Sequence, residues 1–266
     1  MSEVQKVIKY GAIALAVFII VNIFSFIIYL VSSIVDFGDN GEVTNFEETY
    51  ENVDTIKIDV SSTKLNIKQG DTFKVAASNV DDKFNAKLTN GTLKIEEKSR
   101  LFFSNKNTSE VTVYIPNVNL DLIDIDAGAG SIIIENVNAS DFDLDQGAGT
   151  ITISNSNFLK ADIDGGAGEF KIISSSINNL DLDAGVGKVE IEAILTGKNK
   201  IDCGVGEVNI YLLGNSADYK IKTNKGLGSI NINGESKNND TAYGNGANLI
   251  EIEGGIGSIN ITTQER

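Results

Sequence analysis

The chain has 266 residues, 22 Lys and Arg against 37 Asp and Glu, a formal net charge of -15 and no histidine. With only two arginines, Arg100 and Arg266, it lacks the clustered cations that phosphate contacts need, which argues against a nucleic-acid partner. The missing imidazole removes the commonest general base and transition-metal ligand, and the single Cys203 can form neither an intrachain disulfide nor a Cys-x-x-Cys site.

The first predicted element is a membrane helix. Tyr10 to Val35 is a run of 26 uncharged residues, and at about 1.5 Å per residue it spans a bilayer core of about 30 Å. A cleaved signal peptide would have a shorter apolar region and a better cleavage site than "VSS" at 31–33. Lys6 and Lys9 precede the run, and Asp36, Asp39, Glu42, Glu47 and Glu48 follow it. The positive-inside rule therefore puts 1–9 in the cytoplasm and everything after Val35 outside the membrane. Asn22, in mid-span, could bond a partner helix. Residues 36–53 are acidic and weakly periodic and read as a tether.

Beyond the tether the sequence turns to short alternating strands separated by Gly, Asn, Ser and Asp, with one proline, Pro116, in the whole chain. Residues 54–120 carry degenerate units. In "IKIDVSSTKLNI" (56–67), Ser61, Ser62 and Thr63 stand where later units have Gly-x-Gly, and "LTNGTLKIEE" and "VTVYIP" supply further strands. Atypical end units are what a repeat array needs to protect its open edge, so this segment reads as an N-terminal cap.

From 121 to 266 the repeat is explicit. The Gly-x-Gly pairs are Gly128 and Gly130, Gly147 and Gly149, Gly166 and Gly168, Gly185 and Gly187, and Gly204 and Gly206, spaced by 19 residues; Gly226 and Gly228 follow after 22, and Gly255 and Gly257 after 29. Apolar residues fall three and five positions before the first glycine (Ile123 and Ile125, Leu180 and Leu182) and four and six after it (Ile132 and Ile134, Val189 and Ile191). Polar residues lie between them, so each unit holds two strands with one buried face. The residue inside each pair is Ala129, Ala148, Ala167, Val186, Val205, Leu227 or Ile256, and is expected to point inward at a corner. A further apolar position nine residues after the glycine is Val137, Ile194 or Leu213, but Ser156 or Ser175 in other units. A fixed period without insertions favours coils over hairpins. The expected fold is all-β, a single-stranded parallel β-solenoid (β-helix-like) of about 19-residue coils, preceded by one transmembrane α-helix. The longer final interval places "NGESKNNDTAYGNGANL" (233–249) as a C-terminal cap or a binding loop.

The order "IKIDVSST", "VTVYIP", then units like "DIDAGAGSIII" after an N-terminal anchor resembles the "putative adhesin" family of bacterial surface proteins, a β-strand-repeat family of unknown function, over about residues 45–264. The resemblance implies a β-helix-like domain displayed on a bacterial envelope. It implies no catalytic residues and no enzyme, and a role in surface interaction or envelope structure. The alternative it leaves is an accessory or regulatory subunit of an envelope-stress sensing system or a transporter. The partners expected are the membrane, through 10–35, and a surface protein or glycan.

Two chemistries are weighed on the residues themselves. A phosphate loop needs its glycines to open a helix, and here every Gly-x-Gly opens an Ile- or Val-rich strand, so no nucleotide is expected. The glycines are read as structural corners. Asp124 and Asp126, Asp143 and Asp145, Asp162 and Asp164, and Asp181 and Asp183 precede them, with Lys200 and Asp202, then Glu251 and Glu253, in later units. In a solenoid these acids would stack about 4.8 Å apart and repel one another. Calcium would relieve that repulsion, and a solvated outer face is the simpler reading. No cofactor is otherwise expected. A carbohydrate-active enzyme is disfavoured because Trp is absent and both arginines lie outside the regular coils; Tyr211, Tyr219 and Tyr243 are the candidate ligand platform.

Overall fold

The computed structural model describes residues 43–97, 108–239 and 241–263. They form one 15-stranded sheet: β1 (Thr44–Tyr50), β2 (Thr55–Gln69), β3 (Phe73–Val80), β4 (Asn85–Thr89), β5 (Thr92–Glu97), β6 (Ser109–Ile115), β7 (Asn119–Glu135), β8 (Asn138–Ser154), β9 (Asn157–Asn178), β10 (Leu180–Thr196), β11 (Lys198–Leu212), β12 (Tyr219–Ile232), β13 (Glu235–Ser236), β14 (Thr241–Tyr243) and β15 (Asn248–Thr263). A single turn of 3-10 helix, Ser216–Asp218, is the one helical piece among the described residues. The predicted membrane helix lies outside the described residues, and no helix among those described is long and apolar enough to cross a membrane.

Strands β7 to β11 each form one rung and pair in parallel with the rungs on either side; from β7 to β11 residue i lies against residue i+19, as in Ile125 with Leu144 and Ile132 with Ile151. Alternation sends the apolar set inward in every rung. Leu65, Ile132, Ile151, Phe170, Val189 and Val208 lie in one fully interior line and Ile67, Ile134, Ile153, Ile172, Ile191 and Ile210 in the next, each at most 4% exposed. Each of these side chains contributes about 1.5–3 kcal/mol only because the neighbouring rungs cover it. Asn199 enters one such line without penalty: its Oδ1 accepts from Leu180 N at 3.0 Å and its Nδ2 donates to Thr196 O at 3.1 Å and Leu249 O at 3.2 Å.

At each Gly-x-Gly the in-out alternation breaks. A Cβ added to Gly147 would lie 2.6 Å from Gly128 O in the preceding rung, so the side-chain direction there runs along the stack. Gly149 has φ +136 and its Cβ would fall on the Gly130 carbonyl. Only glycine meets both demands. The middle residue alone keeps a side chain, and it is thrown outward: Val186 is 55% exposed, Val205 42% and Ile256 40%. The inward orientation expected for these residues is thus wrong. The inward corner position is the one before the first glycine, held by Gln146, Ala184 and Cys203. In β2 the corner is Ser61–Ser62–Thr63, with Ser62 opposite Ala129. Glycines are dispensable there because the next layer is divided, β5 pairing with the first half of β2 and β6 with the second, and the Thr63 hydroxyl has room to donate to Glu97 and to lie 2.9 Å from Ser109 Oγ.

The second corner of the coil is made by Asn136, Asn155 and Ser174, all at φ near +50. Ser156 and Ser175 beside it are buried and bonded from rung to rung: Val137 N donates to Ser156 Oγ and Ser156 N to Ser175 Oγ, both at 3.2 Å. The irregular position nine residues after the glycine is interior as Val137, Ser156 and Ser175 and half-buried as Leu213. In β10 a register shift after Glu192 turns Ile194 outward and Ala193 and Leu195 inward.

Both ends of the stack are closed by antiparallel strands. At the N-terminal end β4 pairs with β5, β3 with β6, and β1 with β3. Strand β1 corrects the reading of 36–53 as a tether throughout. Thr44–Tyr50 is a strand because Phe46 packs edge-on against Phe84 at 5.2 Å and Tyr50 is buried, while its acidic look comes from Glu47 on the other face and from Glu48, which accepts a hydrogen bond from the Tyr50 hydroxyl at 3.0 Å.

At the C-terminal end the rungs leave chain order. Strand β15 lies between β11 and β12, parallel to both. The chain steps past one empty position, lays down β12, covers the outer edge of β12 with β13 and β14, and returns to fill the gap. This accounts for the intervals of 22 and 29, and it makes 233–249 an edge cover. In this order Lys200, Glu251 and Lys222 alternate in sign, a favourable arrangement that is offset in the adjacent line, where Asp202 meets Glu253.

The outer face of the rungs as a candidate interaction surface

Parallel register turns each outward position into a line of like residues. Asp124, Asp143, Asp162 and Asp181 form one line, bounded by Lys57 and Lys200. Asp126, Asp145, Asp164 and Asp183 form another, which extends to Asp59 at one end and through Asp202 to Glu253 at the other, where Asn224 ends it. The structure therefore sets all eight predicted aspartates in two lines, continues the second through Asp202 and Glu253, and adds Asp59 with Glu96 opposite it.

Lysines pair with these lines mainly towards their ends, and in the middle Lys160 Nζ lies 3.9 Å from Asp162 Oδ2. Lys57 Nζ lies 2.6 Å from Asp124 Oδ2, Lys200 Nζ 2.6 Å from Asp202 Oδ2 and 3.8 Å from Asp183 Oδ1, and Lys222 Nζ 2.8 Å from Glu251 Oε1. In the middle, partial burial pushes the Asp143 and Asp145 carboxyls above the ordinary value of 3.8, helped by Asp124 and Asp162 beside the first and by Asp164 and Asp126 beside the second. Partial burial and Asp202 raise Asp183 as well, against the pull of Lys200. Among the described residues no three acids or cysteines converge in the way a metal site requires. The carboxylates are spread along lines rather than gathered around a point.

Beside the carboxylates runs the line of corner residues Ala129, Ala148, Ala167, Val186, Val205, Ile256 and Leu227, in spatial order. The coil's third side carries a shallow groove of about 400 Å³ lined by Asn119, Asn138, Asn157, Ser176 and Asn178, with Val118 and Leu159 exposed at its rim. Asn157 Nδ2 donates to Asn138 Oδ1 across the rungs at 2.7 Å. The 19-residue recurrence of Asn119, Asn138 and Asn157 is visible in the sequence, but only the coil geometry shows that these residues face one groove.

The three tyrosines do not form a platform. Tyr219 is buried and its hydroxyl donates to Leu213 O, Tyr243 is half-buried beside Asn233 and Lys237, and Tyr211 is 39% exposed on another rung. Burial also holds the Cys203 thiol above its usual range, which makes it a poor nucleophile.

Comparison with known proteins agrees with this architecture. A solved structure described as "a putative adhesin", from Bacteroides fragilis NCTC 9343, superposes with a TM-score of 0.52 at 12% identity, covering 83% of this chain and 97% of that one. Another, "a putative cell adhesion protein" from Clostridium sporogenes ATCC 15579, matches 84% of this chain and all of that one at 19% identity, with a TM-score of 0.41. At these identities the likeness concerns the fold. No protein of curated function matches the chain. The Toastrack DUF4097 family model matches residues 53–254, from the last residues before β2 into the inserted strand β15, and the chain belongs to that family.

Proposed function

We propose that this protein is a membrane-anchored, non-catalytic interaction protein of the bacterial envelope. Residues 10–35 cross the membrane, 1–9 lie in the cytoplasm, and the stacked rungs stand outside, where their outer faces meet a surface protein or a glycan. The observation that carries the reading is the outer face itself. Carboxylates are kept in register from Asp59 to Glu253 although repulsion and partial burial raise several of them, and they do nothing for the core. A flat periodic face of this kind suits contact over an area, whereas catalysis needs groups converging on one point. The uncharged run of 26 residues, its flanking lysines and the description of a structural neighbour as "a putative adhesin" support the location.

Membrane-impermeant maleimide labelling of intact cells tests it. The single native Cys203 is buried, so an Asn238→Cys variant reports the position of the rungs. Labelling without lysis, together with membrane sedimentation that resists alkaline extraction, is the expected result. Labelling only after lysis, or release from the membrane by alkali, contradicts the proposal.

A further inference from the structure

The corner line changes character along the stack. It is Ser62, then Ala129, Ala148 and Ala167, and then Val186, Val205, Ile256 and Leu227 on four successive rungs. Val186, Val205 and Ile256 are 55%, 42% and 40% exposed, and nothing in the core uses them. The fold tolerates Ser or Ala at this position, so the branched aliphatic side chains are not a packing requirement. A contiguous apolar strip left in water is a hallmark of a binding surface.

Its surroundings define the occupant. On the same rungs the line three residues earlier is Asp183, Asp202, Glu253 and Asn224, and the line beyond that holds Asp181, Lys200, Glu251 and Lys222. Five carboxylates face two lysines there. On the other side Lys188 is engaged by Glu190 at 3.0 Å, and Glu207 adds a further carboxylate. The strip is apolar with a rim that is negative except at its Leu227 end, where the Lys225 ammonium donates to Gly228 O. A second copy of the strip would bring acid against acid, and an anionic lipid surface is repelled by a chain of net charge -15. Four rungs at about 4.8 Å span about 14 Å, the length of roughly ten helical residues. An amphipathic helix presents an apolar side chain about every 5.4 Å along its axis, close to the rung spacing, so a helix lying along the stack meets one branched side chain per turn.

We propose that Val186, Val205, Ile256 and Leu227, with the flanking Asp183, Asp202 and Glu253, dock a cationic amphipathic helix, its apolar stripe on the aliphatic line and its lysines or arginines over the carboxylates. The proposal deepens the interaction reading above by naming the partner's chemistry, and it is tested on purified protein whatever its cellular orientation.

The test uses the full chain in nanodiscs of zwitterionic lipid, with empty nanodiscs as reference, and fluorescently labelled helical peptides built from Leu and Lys, from Leu and Glu in the same pattern, and from Ser and Lys. The Leu/Lys peptide binds and the other two bind at least tenfold more weakly. The triple variant Val186→Asn, Val205→Asn, Ile256→Asn and the triple variant Asp183→Asn, Asp202→Asn, Glu253→Gln each lose at least tenfold for the Leu/Lys peptide, while thermal melting shows that both remain folded. Equal binding of Leu/Lys and Leu/Glu peptides overturns the proposal. So does undiminished Leu/Lys binding to either variant, or a dimer that the valine and isoleucine changes dissociate without any peptide binding. Should a triple variant fail to melt cooperatively, the single changes Val186→Asn and Glu253→Gln give the same reading with losses of about threefold.

Discussion

Gly165 and Phe170 divide one volume between them: a Cβ built on Gly165 would fall within the ring of Phe170, which is itself 4% exposed. The rungs on either side split the same space differently, with Gln146 and Ile151 in one and Ala184 and Val189 in the other. Gly165→Ala is therefore expected to cost about 1–3 kcal/mol by overpacking. Combined with Phe170→Val, which recreates the next rung's pair, it should cost less than the sum of the single changes, with a coupling of about 0.5–3 kcal/mol. Chemical denaturation of the two single variants and the double variant gives the cycle; strict additivity would show that the two residues do not share the volume.

A corner glycine and the glycine of the turn between β12 and β13 differ in what they require. Gly149→Ala would combine φ +136 with a clash against the Gly130 carbonyl, and is expected to destabilise by more than about 3 kcal/mol. Gly234→Ala, at φ +77 with nothing within 4 Å, should cost only about 1 kcal/mol. Similar unfolding midpoints for the two variants would refute the stacking account of the corners.

The buried serines make a third test. Ser175→Ala removes the acceptor for Ser156 N, and leaving that buried donor unbonded should cost about 1–3 kcal/mol although only a hydroxyl is deleted. Hydrogen exchange at the Ser156 amide should accelerate in the variant; unchanged protection and stability would mean that the bond is replaceable.

The carboxylate lines predict an unusual pH profile. Asp143, Asp145 and Asp183 have folded-state values above 3.8, so the folded chain holds protons that the unfolded chain releases. Their stabilising effect is present at low pH and is lost as pH rises through the raised values. Glu110 and Glu190, lowered by hydrogen bonds from Lys64 and Lys188, act oppositely and lose their stabilisation as pH falls below about 4.5. The melting temperature should therefore rise as pH falls through the raised aspartate values, with Glu110 and Glu190 opposing that rise as they protonate. Asp145→Asn at pH 7 should stabilise by a few tenths of a kcal/mol, and added sodium chloride should shrink that gain. Magnesium and calcium at equal concentration should act alike, and a rise specific to calcium would show ion bridging between the lines.

The sequence displays the rungs because their requirements are local and repeated. Gly147 and Gly149 mark a corner, Ile151 and Ile153 an inward face, and Asp143 and Asp145 an outward one, each at a 19-residue interval. Three features escape such reading. Alternation carried through the corner sends Val186 inward, and only the backbone rotation that demands glycine on both sides shows why it turns out. Ser156 and Ser175 look like surface residues until their bonds across the rungs are seen. The order of β11, β15 and β12 depends on contacts between residues 29 to 51 positions apart, and its trace in the sequence is a change of interval. The strip of Val186, Val205, Ile256 and Leu227 depends on that order for its continuity.

Strand order is consequently the most direct test. Asn209, Asn260 and Asn231 lie on β11, β15 and β12, joined by side-chain hydrogen bonds of 2.9 Å from Asn260 to Asn209 and from Asn231 to Asn260. Neighbouring rungs are about 4.8 Å apart and alternate rungs about 9.6 Å, and a disulfide needs Cα atoms within about 7 Å. In a Cys203→Ala background, the pairs Asn209→Cys with Asn260→Cys, and Asn260→Cys with Asn231→Cys, should oxidise to intrachain disulfides, while Asn209→Cys with Asn231→Cys should not. Efficient crosslinking of 209 to 231, with none from 209 to 260, would restore chain order and contradict the inserted strand and the surface lines built on it.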